Sequence, residues 1–314
     1  MVVANGGRVD LAGLAGNGTV GLNFDANDLS LTVPDDVERA DVSLNNLAFI
    51  DVSGDGSGSI AVNARNFELK EESFLFAGVT SDLGTADAQA GDITINATDK
   101  VLFDNSFASN YVVPGTVGNS GDISITTGSL DVLNGAYLQA STLGEGDAGS
   151  VNINATDLVK FDGEFPTGAF SQVNESAEGN SGGISINTGS LEVLNAARLD
   201  ASSFGFGDAG SVTINATDMV KFDGEFSTGI FTSVDDGAIG KAGSIFIKAG
   251  GDITTGTLDS SFSNAEVVES VTTDSDGNTI VITVSFDLLS VEDAGDGGAI
   301  TLNAGGNIVD KGIV

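Results

Sequence analysis

The chain contains no cysteine, no histidine and no tryptophan, only three prolines, and 11 basic residues against 45 acidic ones. Without cysteine there is no disulfide framework, thiol nucleophile or thiolate metal site. Without histidine there is no imidazole base, no Ser-His-Asp triad and none of the commonest nitrogen ligands for a metal. A net charge of −34 over 314 residues repels nucleic-acid backbones and anionic membranes, so nucleic acid is not expected as a partner. No stretch of about 18 consecutive apolar residues exists, and membrane insertion is not expected either. The first residues, Met1 to Arg8, do not read as a secretory signal peptide.

What is present is glycine, 44 residues of it, among short alternating runs of Val, Ile, Leu and Phe. A glycine, a small or acidic residue and two β-branched residues flanking a polar one recur throughout. Examples are Gly91-Asp92-Ile93-Thr94-Ile95, Gly121-Asp122-Ile123-Ser124-Ile125, Gly149-Ser150-Val151-Asn152-Ile153 and Gly182-Gly183-Ile184-Ser185-Ile186. Measured on the first apolar residue from Ile60, the steps are 33, 30, 28, 33, 28 and 33, then 55. Long and short units alternate, so the true period is 61 residues: Ile123 to Ile184, Val151 to Val212, Ile184 to Ile245. Internal repetition of this kind signals a solenoid.

Each unit holds three period-two runs broken by Gly, Asn, Asp and Ser, at 121–126, 129–133 and 136–141 in one short unit. The runs are too short for helices and carry no 3.6-residue period. The spacing predicts an all-β chain: a right-handed parallel β-helix with three strands per coil of about 28–33 residues, and nine to eleven coils in a rod about 45–50 Å long. Ile60, Ile93, Ile123, Val151, Ile184, Val212, Ile245 and Ile300 should form one inward column, and Val62, Ile95, Ile125, Ile153, Ile186, Ile214, Ile247 and Leu302 a second. Between them Ala61, Thr94, Ser124, Asn152, Ser185, Thr213, Phe246 and Thr301 should face outward. The residues that follow, Asn63, Asn96, Thr126, Asn154, Asn187, Asn215 and Asn303 (with Lys248 in the series), are expected to form a structural corner ladder with amides bonded from coil to coil.

The 55-residue step contains two alternating runs, 266–273 and 279–286, around Asp274-Ser275-Asp276-Gly277-Asn278, which predicts a β-hairpin insertion near 265–287. The reading is one continuous solenoid: irregular N-terminal coils at 1–57 with longer loops around Pro34, the regular two-coil repeat at 58–250, and C-terminal coils with the hairpin at 251–314. In the irregular part, strands are expected at 8–12, 18–24, 28–33 and 40–50.

Val3-Ala4-Asn5-Gly6-Gly7-Arg8-Val9, Ala90-Gly91-Asp92-Ile93-Thr94-Ile95-Asn96-Ala97, Gly146-Asp147-Ala148-Gly149-Ser150-Val151 and Gly250-Gly251-Asp252-Ile253-Thr254 together resemble the repeat region of filamentous haemagglutinin-like exoproteins of two-partner secretion. The resemblance runs over nearly the whole chain and rests on the order and spacing of these motifs. It implies a long right-handed parallel β-helix, export through an outer-membrane β-barrel transporter, an adhesive role, and a place outside or on the surface of a Gram-negative-type bacterium. It also implies ligands on host cells, neighbouring cells or glycans. The Asn-Pro-Asn motifs of the family's secretion domain have no counterpart, because the three prolines follow Val33, Val113 and Phe165.

Several residue sets bear on chemistry. Lys160, Asp162 and Glu164, repeated as Lys221, Asp223 and Glu225, could line a polysaccharide lyase or hydrolase groove. Their duplication favours solvated strand ends, since catalysis needs one site. Asp274, Asp276 and Asn278 imitate a calcium loop with Gly277 too early, and a hairpin turn fits them better. Gly144-Glu145-Gly146-Asp147 and Gly205-Phe206-Gly207-Asp208 occur once per 61 residues rather than in tandem, as coil-linking turns would. No catalytic, cofactor or metal residues are assigned, and weak Ca2+ binding by acidic turns is the one cation expectation. Phe165, Phe204, Phe206, Phe226 and Tyr137 lie near turns and could present apolar patches to glycans or proteins. The sequence thus predicts a non-catalytic, rigid adhesive stalk. The alternatives are a carbohydrate-active enzyme on the same scaffold and the stalk of a toxin-delivery exoprotein.

Overall fold

The computed structural model describes residues 1–309 except 26–27, 35, 81–84, 86, 225–227, 236, 261–264, 274–279 and 289–297. Among the described residues every regular element is a β-strand. The alternation of apolar and polar residues over five or six positions makes each strand two-faced, and the Gly- and Asn-rich breaks turn the chain.

The strands stack in register on three faces. The first face runs from Arg8–Ala12 through the first halves of Ser59–Lys70 and Ile93–Asp104. It continues with Ile123–Thr127, Val151–Ala155, Ile184–Thr188, Val212–Ala216 and Ile245–Ala249 to Ile300–Ala304. The second begins at Val42–Leu44, takes in the second halves of the same two long strands, and includes Ser129–Leu133, Leu158–Asp162, Ser190–Leu194 and Val220–Asp223. The third is a 9-stranded sheet from Val2–Val3 through Phe74–Val79, Phe107–Val112 and Tyr137–Thr142 to Thr257–Asp259. All pairings within these faces are parallel, and the chain visits the faces in turn: it is a parallel β-solenoid with three strands per coil. In the short coil the strands lie at Ile123–Thr127, Ser129–Leu133 and Tyr137–Thr142, the second on its expected bounds and the others within two residues of theirs.

Residues 123 and 184 are each in register with Val151, so positions 61 apart sit two strands from one another. Both inward columns are sealed, and no member from Ile60 to Leu302 exceeds 2% exposure. Burying each such side chain contributes about 1.5–3 kcal/mol. The intervening outward positions are half-buried, because each is flanked by its neighbours along the column. Ala61 departs from this: in register between Asp10 and Thr94, it is buried at 8% exposure.

The irregular N-terminal part differs from the expectation. Gly21–Asp25 and Asp28–Thr32 do not form coils but pair antiparallel as a hairpin inserted in a single coil. The Leu31 amide donates to Asp10 Oδ2 at 2.7 Å, tying the hairpin to the first face. The short connection between two alternating runs leaves too little chain for a parallel crossover. Near the other end Ala265–Thr273 and Ile280–Leu288 form the expected inserted hairpin. Its second strand also pairs antiparallel with Ile300–Ala304, Ile282 opposite Leu302, so the hairpin lies along the edge of that strand. The turn residues Asp274, Asp276, Gly277 and Asn278 lie outside the described residues.

Candidate functional site: laddered faces and an aromatic track

The expected corner series lies at the outer end of the first-face strands, in register from Asn63 to Asn303. Asn187 Nδ2 donates to Asn154 Oδ1 at 2.9 Å, and Asn215 Nδ2 to Asn187 Oδ1 at 3.1 Å. Asn63, Asn96, Thr126 and Asn303 occupy the same column without such a side-chain bond among the described contacts. Thr126, Asn154 and Asn187 are exposed.

Other ladders explain why the period is two coils. Asn134 Nδ2 donates to Asp104 Oδ1 at 2.8 Å, and Asn195 Nδ2 to Asp162 Oδ1 at 2.7 Å, so the short coils supply amides and the long coils carboxylates. At another turn Asn119 Oδ1, Asp147 Oδ1, Asn180 Oδ1 and Asp208 Oδ1 each accept the backbone amide of the next coil at 2.8 to 2.9 Å. Asp147 and Asp208, from the glycine-rich calcium-like segments, therefore hold turns together. On the second face Asp131, Lys160, Glu192 and Lys221 are successive neighbours of alternating sign. A column of identical carboxylates at strand spacing would repel, whereas unlike neighbours attract by about 0.2–1 kcal/mol per pair.

The same alternation runs inside the rod, where sequence reasoning missed it. Long coils place Ser106, Thr167 and Thr228 at one inner corner and Asn110, Ser171 and Thr232 at another. Short coils place Ala136, Ala197, Ala140 and Ala201 there. The polar side chains satisfy turn groups: Ser106 Oγ donates to Leu69 O at 2.7 Å, Asn110 Nδ2 to Gly91 O at 2.9 Å, and Thr167 Oγ1 accepts the Gly135 amide at 2.8 Å. The 61-residue spacing of 110, 171 and 232 was the signal that would have found them.

The third face carries an aromatic track on its outer side. Phe49, Phe74, Phe107 and Tyr137 follow one another in register, with centroids 5.0 Å apart and planes within 5° of parallel. Phe76 and Tyr111 form a second, tilted pair beside them. Tyr137 meets Phe170 edge to face at 6.4 Å, and Phe170 meets Phe165 at 6.1 Å. The Arg198 guanidinium lies 5.5 Å from the centre of Phe165 and 4.8 Å from that of Phe231. Of the aromatics singled out from sequence, Tyr137 and Phe165 join this track. Phe204 lines a separate shallow groove with Pro114 and Leu143, Phe206 is 48% exposed at a turn, and Phe226 lies outside the described residues.

The track ends in a groove at the corner of the second and third faces, lined by Asn134, Lys160, Asp162, Glu164, Phe165 and Asn195. The structure thus brings the Lys160, Asp162 and Glu164 set together. Lys160 Nζ is 2.7 Å from Asp162 Oδ2. Its hydrogen bond, followed by that from Asn195, holds the Asp162 carboxyl below the usual carboxylate range, and the same pair raises the Lys160 ammonium. In the second set Lys221 Nζ lies 3.1 Å from Asp223 Oδ2, and Glu225 is outside the described residues.

Asp200 sits in the same outward column as Phe170 and Phe231, between them, and is only 4% exposed. Burial pushes its carboxyl up, against the opposing effect of the Ser202 amide, which donates at 3.0 Å, and of Gln172 and Arg198. A folded value above the unfolded one, near 3.9, means that no penalty exists in acid and that stability falls as pH rises from about 4 through the folded value. Asp200→Asn should therefore raise the melting temperature by a few degrees at pH 7 and leave it unchanged at pH 3. Thermal melts across pH check this; a lower melting temperature at pH 7 would show that the carboxylate stabilises the site.

These features define a parallel β-solenoid repeat protein with laddered outer faces. Among the described residues no group of three or more His, Cys, Asp or Glu gathers as a metal would need, and no helix is long and apolar enough to cross a membrane. The sequence matches no protein-family model, no curated protein and no solved structure.

Proposed function

We propose that the chain is a non-catalytic, stiff adhesive segment of a secreted, filamentous haemagglutinin-like surface exoprotein of a Gram-negative-type bacterium. The observation that carries this reading is the repetition of surface features along the rod: the ladders, the lysine–carboxylate pairs and the aromatic column recur or extend from coil to coil instead of converging on one point. Many equivalent weak contacts on a rigid spacer gain strength through multivalency. Export would use an outer-membrane β-barrel transporter acting on a secretion domain elsewhere in the parent protein. Against the carbohydrate-enzyme alternative stands the duplication of the lysine–carboxylate pair, Lys160 with Asp162 and Lys221 with Asp223, since catalysis needs one site. Beads coated with the purified chain should adhere to cell surfaces, with adhesion rising more steeply than linearly with coating density. Release of new polysaccharide ends by the same preparation would overturn the reading in favour of an enzyme.

A further inference from the structure

We infer that a groove on the outer side of the third face, between the two aromatic columns, is a docking site for a proline-rich segment of a partner protein flanked by basic residues. This goes beyond the adhesive reading and does not depend on it. Phe74, Phe107 and Tyr137 wall the groove on one side, and Phe76 and Tyr111 on the other. Between the walls the floor column runs from Phe76 to Ser109, Gln139 and Phe170 in register, so it drops at the two small or polar side chains. Ser109 is buried, and its hydroxyl donates to Gln139 Oε1 at 3.1 Å. That bond occupies the amide's acceptor and leaves its Nε2 hydrogens without a partner among the described residues. The Tyr111 and Tyr137 hydroxyls likewise make no hydrogen bond among the described residues. Burial pushes both phenols up, with Asp51 adding to the effect on Tyr111 and Tyr111 to that on Tyr137, so both remain protonated donors.

The groove thus offers apolar walls and hydrogen-bond donors. None of its lining residues is basic, Asp51 precedes Phe76 in the floor column, and the chain carries a net charge of −34. Polyanions are repelled and a cationic flank is attracted. The fitting occupant brings apolar surface, free acceptors, few N–H groups and positive charge. Proline has no N–H, and the polyproline II helix it favours leaves its carbonyls without internal partners. One turn of that helix advances about 9.3 Å, against about 9.6 Å for the two coil steps from Phe74 to Tyr137. Prolines three apart would therefore meet the same ring column at matching heights, as in other aromatic-lined grooves that take proline-rich segments. The chain's own prolines, Pro34, Pro114 and Pro166, stand far apart in sequence, so the occupant belongs to another protein. A sugar or a lone cation fits less well, because Phe74 and Phe107 each have a parallel ring on either side at 5.0 Å and present no open face.

The test is fluorescence anisotropy on the full chain with a labelled proline-repeat peptide flanked by lysines. The controls are the same peptide flanked by glutamates and a Gly-Ser peptide of equal length and lysine content. The lysine-flanked proline peptide should bind more tightly than either control by about tenfold or more. Tyr111→Phe combined with Tyr137→Phe keeps every ring and removes both O–H groups, and should weaken binding by about tenfold. Gln139→Met, which keeps the side chain's length and removes its amide, should also weaken it. Equal binding of the Gly-Ser peptide, or affinity undiminished in both variants, would overturn the inference by reducing it to charge alone. Displacement of the peptide by tetramethylammonium or by chito-oligosaccharides would overturn it in favour of a cation or sugar site. If coated beads adhere to cells while the proline peptide does not bind, the docking assignment falls and the adhesive reading stands.

Discussion

Replacing Ile153 by Asp should unfold the coils around it, whereas replacing its neighbour Asn152 by Asp should change stability by no more than about 1 kcal/mol. Ile153 is fully buried, in register with Ile125 and Ile186 in a closed aliphatic column. The substitution removes about 1.5–3 kcal/mol of apolar burial and places a carboxylate where no water or cation reaches it. The group must then either stay charged at a cost of several kcal/mol or take up a proton. Asn152 lies half-buried on the outer side, between Ser124 and Ser185. Because each coil is stabilised mainly by its neighbours, the damage from Ile153→Asp should be local first. Hydrogen exchange should show protection lost at 123–127, 151–155 and 184–188 while distant coils keep theirs. Equal effects of the two substitutions would refute the inside–outside assignment.

Gly149→Ala should be comparably severe although it adds one methyl group. A Cβ at Gly149 would lie 2.0 Å from the carbonyl oxygen of Gly121 and 2.6 Å from its carbon, and a Cβ at Gly182 would lie 2.6 Å from the carbonyl carbon of Gly149. The obstacle is the backbone of the adjacent coil, which cannot rotate aside as a side chain would. The two coils must separate at this turn, breaking the hydrogen bond that the Ile123 amide donates to the Ser150 carbonyl at 2.9 Å or its neighbours, at a cost of about 2–3 kcal/mol or more. Gly16→Ala provides the contrast, since nothing lies within 4 Å of its Cβ, and it should stay within about 0.5 kcal/mol of the parent. Urea unfolding of the two variants measures the difference.

The 61-residue period was legible because stacked coils demand the same residue type at the same height. Ile, Val and Leu recur wherever the column is closed, and glycine recurs wherever one backbone crosses another. The meaning of the period was not legible, since it lies in the relation between neighbours. Asn195 reads as a turn residue until Asp162 is seen below it accepting its amide, and Lys160 reads as a solvated end until Asp131 and Glu192 flank it. The buried hydroxyls were hidden for a different reason. Ser171 and Thr232 look like loop residues, and only the turn carbonyls of Gly149 and Gly243 that they satisfy explain their burial. At 21–32 a parallel-coil expectation overrode a hairpin pattern that the alternating runs contained. The aromatic track escaped notice because Phe74, Phe107 and Tyr137 are 33 and 30 residues apart in sequence and adjacent only when coiled.

Alternation of unlike partners gives the rod a preferred register. A slip by one coil would set Lys160 against the place of another lysine and Asp162 against another carboxylate, while a slip by two would restore the match. The same two-coil step separates the Lys160–Asp162 and Lys221–Asp223 pairs on the outer surface, so stability and the proposed adhesive role draw on one repeat.

The most direct test uses the absence of cysteine, which lets introduced pairs be read without background. Ser124→Cys with Asn152→Cys, and Asn152→Cys with Ser185→Cys, place thiols on adjacent strands in register, within the Cα separation of about 4.4–6.8 Å that a disulfide spans. Ser124→Cys with Ser185→Cys places them two strands apart, at about 9.6 Å. Under mild oxidation the first two pairs should cross-link nearly completely within one chain and the third should not. Failure of both adjacent pairs in the folded protein, or efficient closure of the third, would contradict the stacked solenoid on which the whole account stands.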